Sequence, residues 1–158
     1  MDTTRLEIIV DADACPVKEE IYRVAKRYAL TVNLVANVPL RVCASKQEWV
    51  KTTVVNGRLD AADDWIAQNV GSLAIVITGD IPLAARCLEK GATVLDAKGG
   101  QFTEDRIAEA LASREILAHL RQQGLITGGP APFENRDRSK FLQALDQAIQ
   151  AIKRKRKN

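Results

Sequence analysis

Short runs of branched apolar residues alternate along this chain with segments whose apolar residues recur at helical spacing. The strand-type runs lie at residues 6–10, 31–36, 73–78 and 93–95, and an ambiguous β-branched run at 49–55 ends at the turn signal Asn56-Gly57. The helical patterns lie at residues 17–28, 60–70, 81–90, 105–120 and 139–152. This alternation predicts strand–helix–strand units and therefore an α/β fold with a mostly parallel sheet.

The chain is long and apolar enough to bury one hydrophobic core. It has 158 residues, of which 46% are hydrophobic. We see no repeat and predict a single domain over residues 1–158, with a core at 1–123 and a Gly/Pro-rich loop, C-terminal helix and basic tail at 124–158. Three scattered cysteines, no signal pattern at the N-terminus and no apolar run of membrane-spanning length favour a cytoplasmic protein without membrane association.

The positive net charge of the chain comes from its C-terminal tail. Lys153–Lys157 reads KRKRK, and the rest of the chain has fewer basic than acidic residues. Such a tail is able to hold phosphate groups by releasing counterions. The plainer alternative is a solvated helix end, where cations are favourable near the helix C-terminus. The tail taken alone favours the plainer alternative.

Aspartates follow several predicted strands, at the ends where parallel sheets bind their ligands. They are Asp11 and Asp13 after the first strand, Asp80 after the run at 73–78, Asp96 after the run at 93–95, and Asp60, Asp63 and Asp64 at the start of the intervening helix. Converging carboxylates repel one another, and no histidine lies near them in the sequence. Hard oxygen donors of this kind point to Mg²⁺ or Mn²⁺.

Each aspartate taken alone also has a purely structural interpretation, because aspartate is common at helix caps. Asp60 suits the cap of its helix, and Asp63 or Asp64 is favourable near the positive end of that helix. For Asp11 and Asp80 together we favour a functional interpretation. Both follow very apolar strands, expected at the centre of the sheet, where an isolated charge is costly.

Several stretches together form a specific combination over nearly the whole chain. They are VDADACPVK (10–18), ANVPL (36–40), AADDWI (61–66), ITGDIPLAA (77–85), KGATVLDAKG (90–99) and GGPAPFENRDRSKF (128–141). In these stretches the sequence resembles the YaiI/YqxD family of uncharacterised bacterial proteins. That family is grouped with PIN-like domains, so a more distant resemblance is to metal-dependent ribonucleases. This resemblance implies a three-layer α/β/α sandwich around a central parallel sheet.

The PIN-like resemblance also implies a site. Its usual pattern is an aspartate after the first strand, an acidic residue on a middle helix, and Ser/Thr-x-Asp at the end of the fourth strand. Asp11 matches the first element, Asp60, Asp63 or Asp64 the second, and Thr78-Gly79-Asp80 the third. The implied reaction is phosphodiester hydrolysis of RNA with one or two Mg²⁺ or Mn²⁺ ions. The implied roles are catalysis for Asp11 and Asp80, metal binding for Asp11, Asp13, Asp63, Asp64, Asp80 and Asp96, and phosphate contacts for Lys18, Arg136 and Arg138.

Two alternatives remain open. The stretch IIVDADACP also resembles the Asp-x-Asp motif of haloacid-dehalogenase-type phosphatases, in which Asp11 would be the nucleophile and Asp13 the general acid. Thr78 and Lys98 would match later motifs of that class, whereas Cys15 departs from its pattern. The other alternative is a non-catalytic RNA-binding module, for which the low aromatic content of 4% argues against base stacking. For Arg136 and Arg138, a solvated loop before a helix is the plain interpretation.

Overall fold

One parallel sheet of five strands organises the structure, a computed structural model that describes residues 5–58, 60–126 and 131–156. The elements in chain order are β1 (Glu7–Asp11), α1 (Lys18–Arg27), β2 (Val32–Ala36), β3 (Val50–Val54), α2 (Ala61–Asn69), β4 (Ala74–Ile77), α3 (Ile81–Glu89), β5 (Thr93–Leu95), α4 (Glu104–Gln122) and α5 (Asn135–Arg156). Short 3-10 turns occur at Ala12–Ala14 and Ala44–Lys46. The ambiguous run at 49–55 is the edge strand β3.

Helices cover both faces of the sheet, which confirms the predicted three-layer α/β/α sandwich. On one face, Ile8 and Val10 of β1 share a core with residues of α1 and α5. On the other face, Ile9 of β1 shares a core with residues of α2 and α3 and with Ile107 of α4. Successive strand residues point to opposite faces, so strands covered on both sides are continuously apolar. This explains why residues 8–10 of β1 and the whole of β4 are unbroken hydrophobic runs.

The strand order places a topological switch point beside β1. The order across the sheet is β3-β2-β1-β4-β5, so the chain first moves outward from β1 in one direction and then returns to add β4 and β5 on the other side. Val10 of β1 pairs with Ile77 of β4, and Asp11 pairs with Val35 of β2. The carboxyl ends of β1, β2 and β4 therefore meet at one edge of the sheet. In open α/β sheets, this is the edge at which ligands bind.

The C-terminal helix α5 is part of the core. It begins at Asn135, four residues before the predicted start, because the Asp137 carboxylate accepts a hydrogen bond from the Glu134 backbone N–H at 2.9 Å. Phe141, Leu145 and Ile149 of this helix are fully buried in the core that α1 also contributes to.

A loop after β5 approaches α5 closely. Gly99 has a φ of +89°, and a Cβ atom there would lie 2.7 Å from the carbonyl oxygen of Lys140. Both the backbone angle and the close approach therefore require glycine at this position.

Part of the predicted C-terminal segment lies outside the described residues. This holds for residues 127–130 of the Gly/Pro-rich loop and for Lys157 of the basic tail. The tail residues 153–156 continue α5, and Lys153 Nζ lies 4.8 Å from the centre of the Tyr28 ring. Within the described part of the chain, no helix has the length and apolar character needed to cross a membrane.

Candidate functional site

A cleft of about 450 Å³ opens at the carboxyl edge of the sheet, at the switch point between β1 and β4. Four carboxylates line it: Asp11, Asp13, Asp63 and Asp80. Its other polar lining residues include Asn37 and Thr78, and among the described residues no lysine, arginine or histidine lines it. The structure thus brings together acidic residues from β1, the turn after β1, α2 and the end of β4.

Thr78 connects the two carboxylates expected to be catalytic. Its hydroxyl donates to Asp11 Oδ2 at 2.9 Å and accepts from the Asp80 backbone N–H at 3.0 Å. Burial raises the pKa of Asp11 above its ordinary value, the Thr78 hydrogen bond lowers it, and the charges of Asp13 and Asp80 raise it again. Thr78 is itself buried, so it fixes the orientation of Asp11 at the end of β1.

Asp80 has a structural role as well as a place in the cleft. Its Oδ1 accepts a hydrogen bond from the Leu83 backbone N–H at 2.8 Å and so caps the N-terminus of α3. Its other oxygen, Oδ2, accepts no hydrogen bond from any described residue. The plain interpretation of Asp80 as a helix cap and the functional interpretation are therefore compatible, because the cap uses one oxygen and leaves the other for a ligand.

Asp13 joins the turn after β1 to the loop after β2. Both of its carboxylate oxygens accept from the Asn37 backbone N–H, at 3.2 and 3.1 Å. Asp13 is exposed at the mouth of the cleft. Asn37 was not predicted as a site residue, although it follows the carboxyl end of β2 and lies in the stretch ANVPL. That placement is the signal that would have identified it.

Asp63 is the acidic residue of α2 that lines the cleft. Its pKa is raised from 3.8 to about 6, first by burial and then by the negative charges of Asp80, Asp11, Asp60 and Asp64.

The other two acidic residues at the start of α2 pair with arginines. Asp64 contacts Arg86 at 2.8 Å and Arg58 at 2.6 Å, and the Arg86 hydrogen bond lowers the pKa of this carboxyl. Asp60 pairs with Arg58 at 3.3 Å. The structure therefore does not bring Asp64 into the cleft as the predicted metal-ligand set assumes.

Asp96 also lies away from the cleft lining, although it follows β5 as predicted. Its Oδ1 accepts from the backbone N–H groups of Lys98 and Gly100 at 2.8 and 2.9 Å, and its Oδ2 pairs with Arg106. This carboxylate closes the turn after β5. The next residue, Ala97, does line the cleft, so the segment after β5 reaches it, and the contacts with Lys98, Gly100 and Arg106 are what direct the Asp96 carboxylate elsewhere.

The cations predicted to contact phosphate do not line the cleft either. Arg136 pairs with Glu134 at 2.7 Å, and Arg138 pairs with Glu20 at 3.1 Å. Lys18 begins α1, three residues after Cys15, which does line the cleft. Of these three residues, Lys18 is the one that the structure leaves without an ion pair among the described residues.

Cys15 faces the cleft, but its environment opposes reactivity. Burial is the largest cause that raises the pKa of this thiol above its ordinary value. A thiol needs a lowered pKa to act as a nucleophile at neutral pH. This agrees with the interpretation of Cys15 as a packing residue, because it also packs against the core on the α1 side of the sheet.

The carboxylates of the cleft fit a hydrated Mg²⁺ or Mn²⁺ ion better than a closed metal cage. In the described parts of the chain, no three His, Cys, Asp or Glu side chains converge closely enough to hold a metal ion among them. Structural Zn²⁺ needs about four such ligands. Mg²⁺ keeps several waters and is commonly bound by one or two carboxylates. The donors are hard oxygens, and within the described parts of the chain no lysine, arginine or histidine lines the cleft to neutralise them.

A second cavity, of about 240 Å³, lies between α1 and the segment before β3. We call it the basic groove, and it is lined by Tyr22, Arg23, Lys26, Lys46 and Trp49 together with Glu19 and Ser45. Trp49 meets Tyr22 edge to face, with ring centres 6.1 Å apart, and Lys46 Nζ lies 5.9 Å from the centre of the Tyr22 ring.

The three cations of the basic groove, Arg23, Lys26 and Lys46, form no ion pair with any described carboxylate. Sequence reasoning missed this groove because its residues come from two separate segments, residues 19–26 and 45–49. The aromatic content of 4% is an average over the whole chain. It could not indicate that Tyr22 and Trp49 lie beside these cations in the fold.

Comparison with known proteins identifies the family. A family model described as "Uncharacterized BCR, YaiI/YqxD family" matches residues 9–151. The chain belongs to this family. A UPF0178 protein of Rhodospirillum rubrum is 50% identical over 151 residues, which cover 96% of this chain and 100% of the relative. UPF0178 proteins of Brucella ovis and Rhodospirillum centenum are 54% and 53% identical, over 93% and 96% of this chain and 91% and 99% of the relatives. The predicted family membership is confirmed, and the names of these relatives specify no reaction.

Proposed function

We propose that this protein is a Mg²⁺- or Mn²⁺-dependent phosphodiester hydrolase that acts on RNA. The observation that carries the proposal is that four carboxylates line one cleft at the switch point of a parallel sheet, and that no lysine, arginine or histidine of the described residues lines it with them. Burial is the largest cause that raises the pKa of Asp63, and the negative charges of Asp80 and Asp11 raise it further, so these carboxylates repel one another. A bound divalent cation relieves that repulsion.

Asp11 and Asp80 are the residues that would hold the ion, with Asp63 and Asp13 acting directly or through water. When bound, the ion would offset the negative charge of the phosphodiester and activate the attacking water. The chain's own contribution is orientation. Thr78 holds Asp11 through one oxygen, and the helix cap holds Asp80 through one oxygen. Each catalytic carboxylate is thereby restrained before substrate arrives, which lowers the entropy lost on binding.

The basic groove supports a nucleic-acid substrate over a smaller phosphodiester. Its three unpaired cations suit phosphate groups, and Trp49, which is half-buried, offers a ring for stacking with a base. Helix α1 links this groove to the cleft, because Lys18 follows the turn after β1 and Lys26 lines the groove. The rise from Lys18 to Lys26 is about 12 Å along the helix axis.

The phosphatase alternative receives less support from the site. Its lysine would be Lys98, which is exposed and whose Nζ atom donates to the carbonyl oxygen of Ala131 at 3.4 Å. Lys98 is not among the residues that line the cleft. Asp13, which would be the general acid, is tied to the backbone of Asn37 through both oxygens. We therefore keep the hydrolysis of a nucleic-acid phosphodiester as the proposed reaction.

Cleavage of an end-labelled RNA pool of mixed sequence, in the presence of Mn²⁺, tests the proposal. We compare the wild type with Asp80→Asn, since asparagine keeps the helix cap while it removes the charge. Asp64→Asn is the matched control, because it is the same change on an acidic residue that pairs outside the cleft. We expect cleavage by the wild type and by Asp64→Asn, and none by Asp80→Asn. Equal cleavage by Asp80→Asn, or none by the wild type at high protein concentration, would contradict the proposal.

Binding of RNA is measured separately from cleavage, in EDTA. In a Trp65→Phe background, Trp49 is the only remaining tryptophan, since the chain has two. Addition of oligouridylate should quench its fluorescence, and Arg23→Glu with Lys46→Glu should abolish the quenching. Quenching without any cleavage under Mn²⁺ would favour the non-catalytic RNA-binding alternative.

A further inference from the structure

The two edge strands of the sheet differ in what lies beside them. At the β5 edge, the segment that follows β5 supplies backbone partners: the Phe102 N–H donates to the Val94 carbonyl oxygen, and the Asp96 N–H donates to the Gly100 carbonyl oxygen, each at 2.9 Å. At the β3 edge, no segment of the described chain pairs with the outer side of the strand. An open edge presents backbone donors and acceptors that another strand can use.

Alternate residues of β3 direct their backbone groups away from β2. The Val32 N–H donates to the Trp49 carbonyl oxygen, and the Val55 N–H donates to the Ala36 carbonyl oxygen, each at 2.9 Å. The odd-numbered residues of this stretch therefore face β2, because the side to which backbone groups point alternates along a strand. The residues whose N–H and C=O groups point outward are Val50, Thr52 and Val54. Among the described residues, none bonds these groups on the outer side.

The three outward-facing residues form a sequence that is the same in both directions, valine–threonine–valine. A two-fold axis through Thr52 would set a second β3 antiparallel to the first, with Val50 of each copy opposite Val54 of the other. Opposite residues in an antiparallel pair exchange two hydrogen bonds at every second position. All three outward N–H groups and all three outward carbonyl groups of each copy would then be bonded.

Other two-fold registers use the edge less completely. An axis through Lys51 or through Thr53 leaves one of the three outward-facing residues without a partner in the other β3, and an axis through Lys51 sets two lysines opposite each other. An axis between two residues sets outward groups against groups already bonded to β2. The backbone therefore selects the axis through Thr52.

The same register places an exposed valine beside an apolar cavity. A cavity of about 340 Å³ lies against β3, and Leu40, Val42 and Val50 form its apolar lining on the α1 side of the sheet. Val54 is 40% exposed, and it lies on the same face as Val50 because side chains four residues apart in a strand point the same way. With the axis at Thr52, Val54 of one copy lies opposite Val50 of the other and so beside this cavity.

Lys51 does not oppose this arrangement. A lysine in an edge strand usually discourages association. Here its Nζ atom donates to the Gln47 carbonyl oxygen of its own chain at 3.1 Å. With the axis at Thr52, Lys51 lies opposite Thr53 of the other copy, so no like charges meet across the two strands.

We propose that the β3 edge is the interface of a homodimer in which two copies of β3 pair antiparallel about a two-fold axis through Thr52. A second copy is the occupant that this edge fits, because a two-fold axis requires a self-complementary surface and the outward-facing residues supply one. The proposal is independent of the hydrolase function, since none of the three outward-facing residues lines the cleft or the basic groove.

The length of β3 predicts a reversible dimer. Its five residues span about 17 Å at about 3.3 Å per residue. A standard specific interface buries about 800 Å² on each partner, and smaller interfaces are usually transient. Self-association should therefore depend on concentration over the micromolar range.

Sedimentation velocity over the low-micromolar to sub-millimolar range tests the proposal through a charge exchange at Thr52. We expect the wild type to shift from the monomer mass of 17.4 kDa towards twice that mass. Thr52→Lys alone and Thr52→Glu alone should each associate about 5-fold more weakly or worse, because like charges then lie directly opposite each other. An equimolar mixture of the two variants should dimerise at least as well as the wild type. Ser113→Glu is the matched control, since Ser113 is an exposed hydroxyl residue on α4, and it should dimerise like the wild type.

Thr52→Pro tests the hydrogen bonds of the interface separately. Proline is tolerated in an edge strand where the N–H faces solvent, and the Thr52 N–H is not used in the pairing with β2. This variant should keep the circular dichroism spectrum of the wild type and lose self-association. A wild type that stays monomeric at every concentration would overturn the proposal and leave the β3 edge to a strand of a different protein. A dimer that neither charge variant weakens, or weakened variants that fail to associate when mixed, would overturn it too.

Discussion

Replacing Asp63 by asparagine should stabilise the folded protein at neutral pH when no divalent cation is present. In the folded state the pKa of Asp63 is about 6, compared with an ordinary value of 3.8. The folded protein therefore binds this proton more tightly than the unfolded chain does. It follows that stability falls as the pH rises from about 4 to about 6, and that above this range the ionised carboxylate destabilises the fold by a constant amount. Asparagine removes that penalty.

The size of the effect follows from the same pKa. Each pH unit corresponds to about 1.4 kcal/mol, so the difference between 3.8 and about 6 sets an upper limit of about 3 kcal/mol. Asp63 is only half-buried, and solvent screens part of the repulsion from its acidic neighbours. We therefore expect a gain of about 1 kcal/mol at pH 7. For a chain of this length, the corresponding rise in Tm is about 2–4 °C.

Asp64→Asn is the control for this prediction, since it makes the same change at the next residue of α2. Asp64 pairs with Arg58 and Arg86, and the Arg86 hydrogen bond lowers its pKa. This variant should therefore be less stable than the wild type at neutral pH.

Thermal and urea unfolding in EDTA, at pH 7 and at pH 4, measures both variants. The advantage of Asp63→Asn over the wild type should shrink as the pH falls through about 6. A variant that is less stable than the wild type at pH 7, or that keeps the same advantage at pH 4, would refute the reasoning.

Two further predictions concern the framework of the site. Thr78→Val removes the buried hydroxyl that donates to Asp11 and accepts from the backbone N–H of Asp80. In urea unfolding, the free energy of unfolding should fall by about 1–3 kcal/mol. The variant should also lose most of any cleavage activity. Retained stability together with full activity would argue against a positioning role for this hydroxyl. Gly99→Ala should clearly destabilise the protein, because the added Cβ would lie 2.7 Å from a carbonyl oxygen of α5. Gly79→Ala is the control in the same unfolding assay. It should be close to neutral, because a Cβ added there meets no atom within 4 Å. Equal effects of the two substitutions would contradict the packing of the loop after β5 on α5.

The sheet and its central strands could be predicted from the sequence because a strand that is buried on both faces consists of consecutive apolar residues. Residues 8–10 of β1 and all of β4 are apolar, and the two strands lie next to each other at the middle of the sheet. The position of an aspartate after each of them therefore indicated the shared edge correctly. The start of α5 was predicted four residues too late. The Asp137 carboxylate accepts a hydrogen bond from the Glu134 backbone N–H at the beginning of the helix, and the spacing of apolar residues carries no information about that bond.

The membership of the site could be predicted only in part. Asp63 and Asp64 are adjacent, and which of them faces the cleft depends on where Arg58 and Arg86 lie in three dimensions. The strand position of Asp96 was correct, but its turn and its pairing with Arg106 keep it from the cleft lining. In both cases an arginine brought close by the fold determines the environment of the carboxylate.

Exposed features were the least predictable from the sequence. The apolar pattern of α4 is typical of a helix that packs on a core, and the helix does form over Glu104–Gln122. Most of that pattern faces solvent all the same, because the core on that side is already filled by α2 and α3. Periodicity predicts that a helix forms, but it does not predict how much of that helix the core buries.

Isothermal titration calorimetry of the wild-type protein with Mn²⁺ tests the central claim most directly. The claim is that the carboxylates at the switch point hold a divalent cation. We expect saturable binding by the wild type and by Asp64→Asn, and loss of binding in both Asp11→Asn and Asp80→Asn. Absence of saturable binding to the wild type, or binding that both cleft variants retain, would contradict the account.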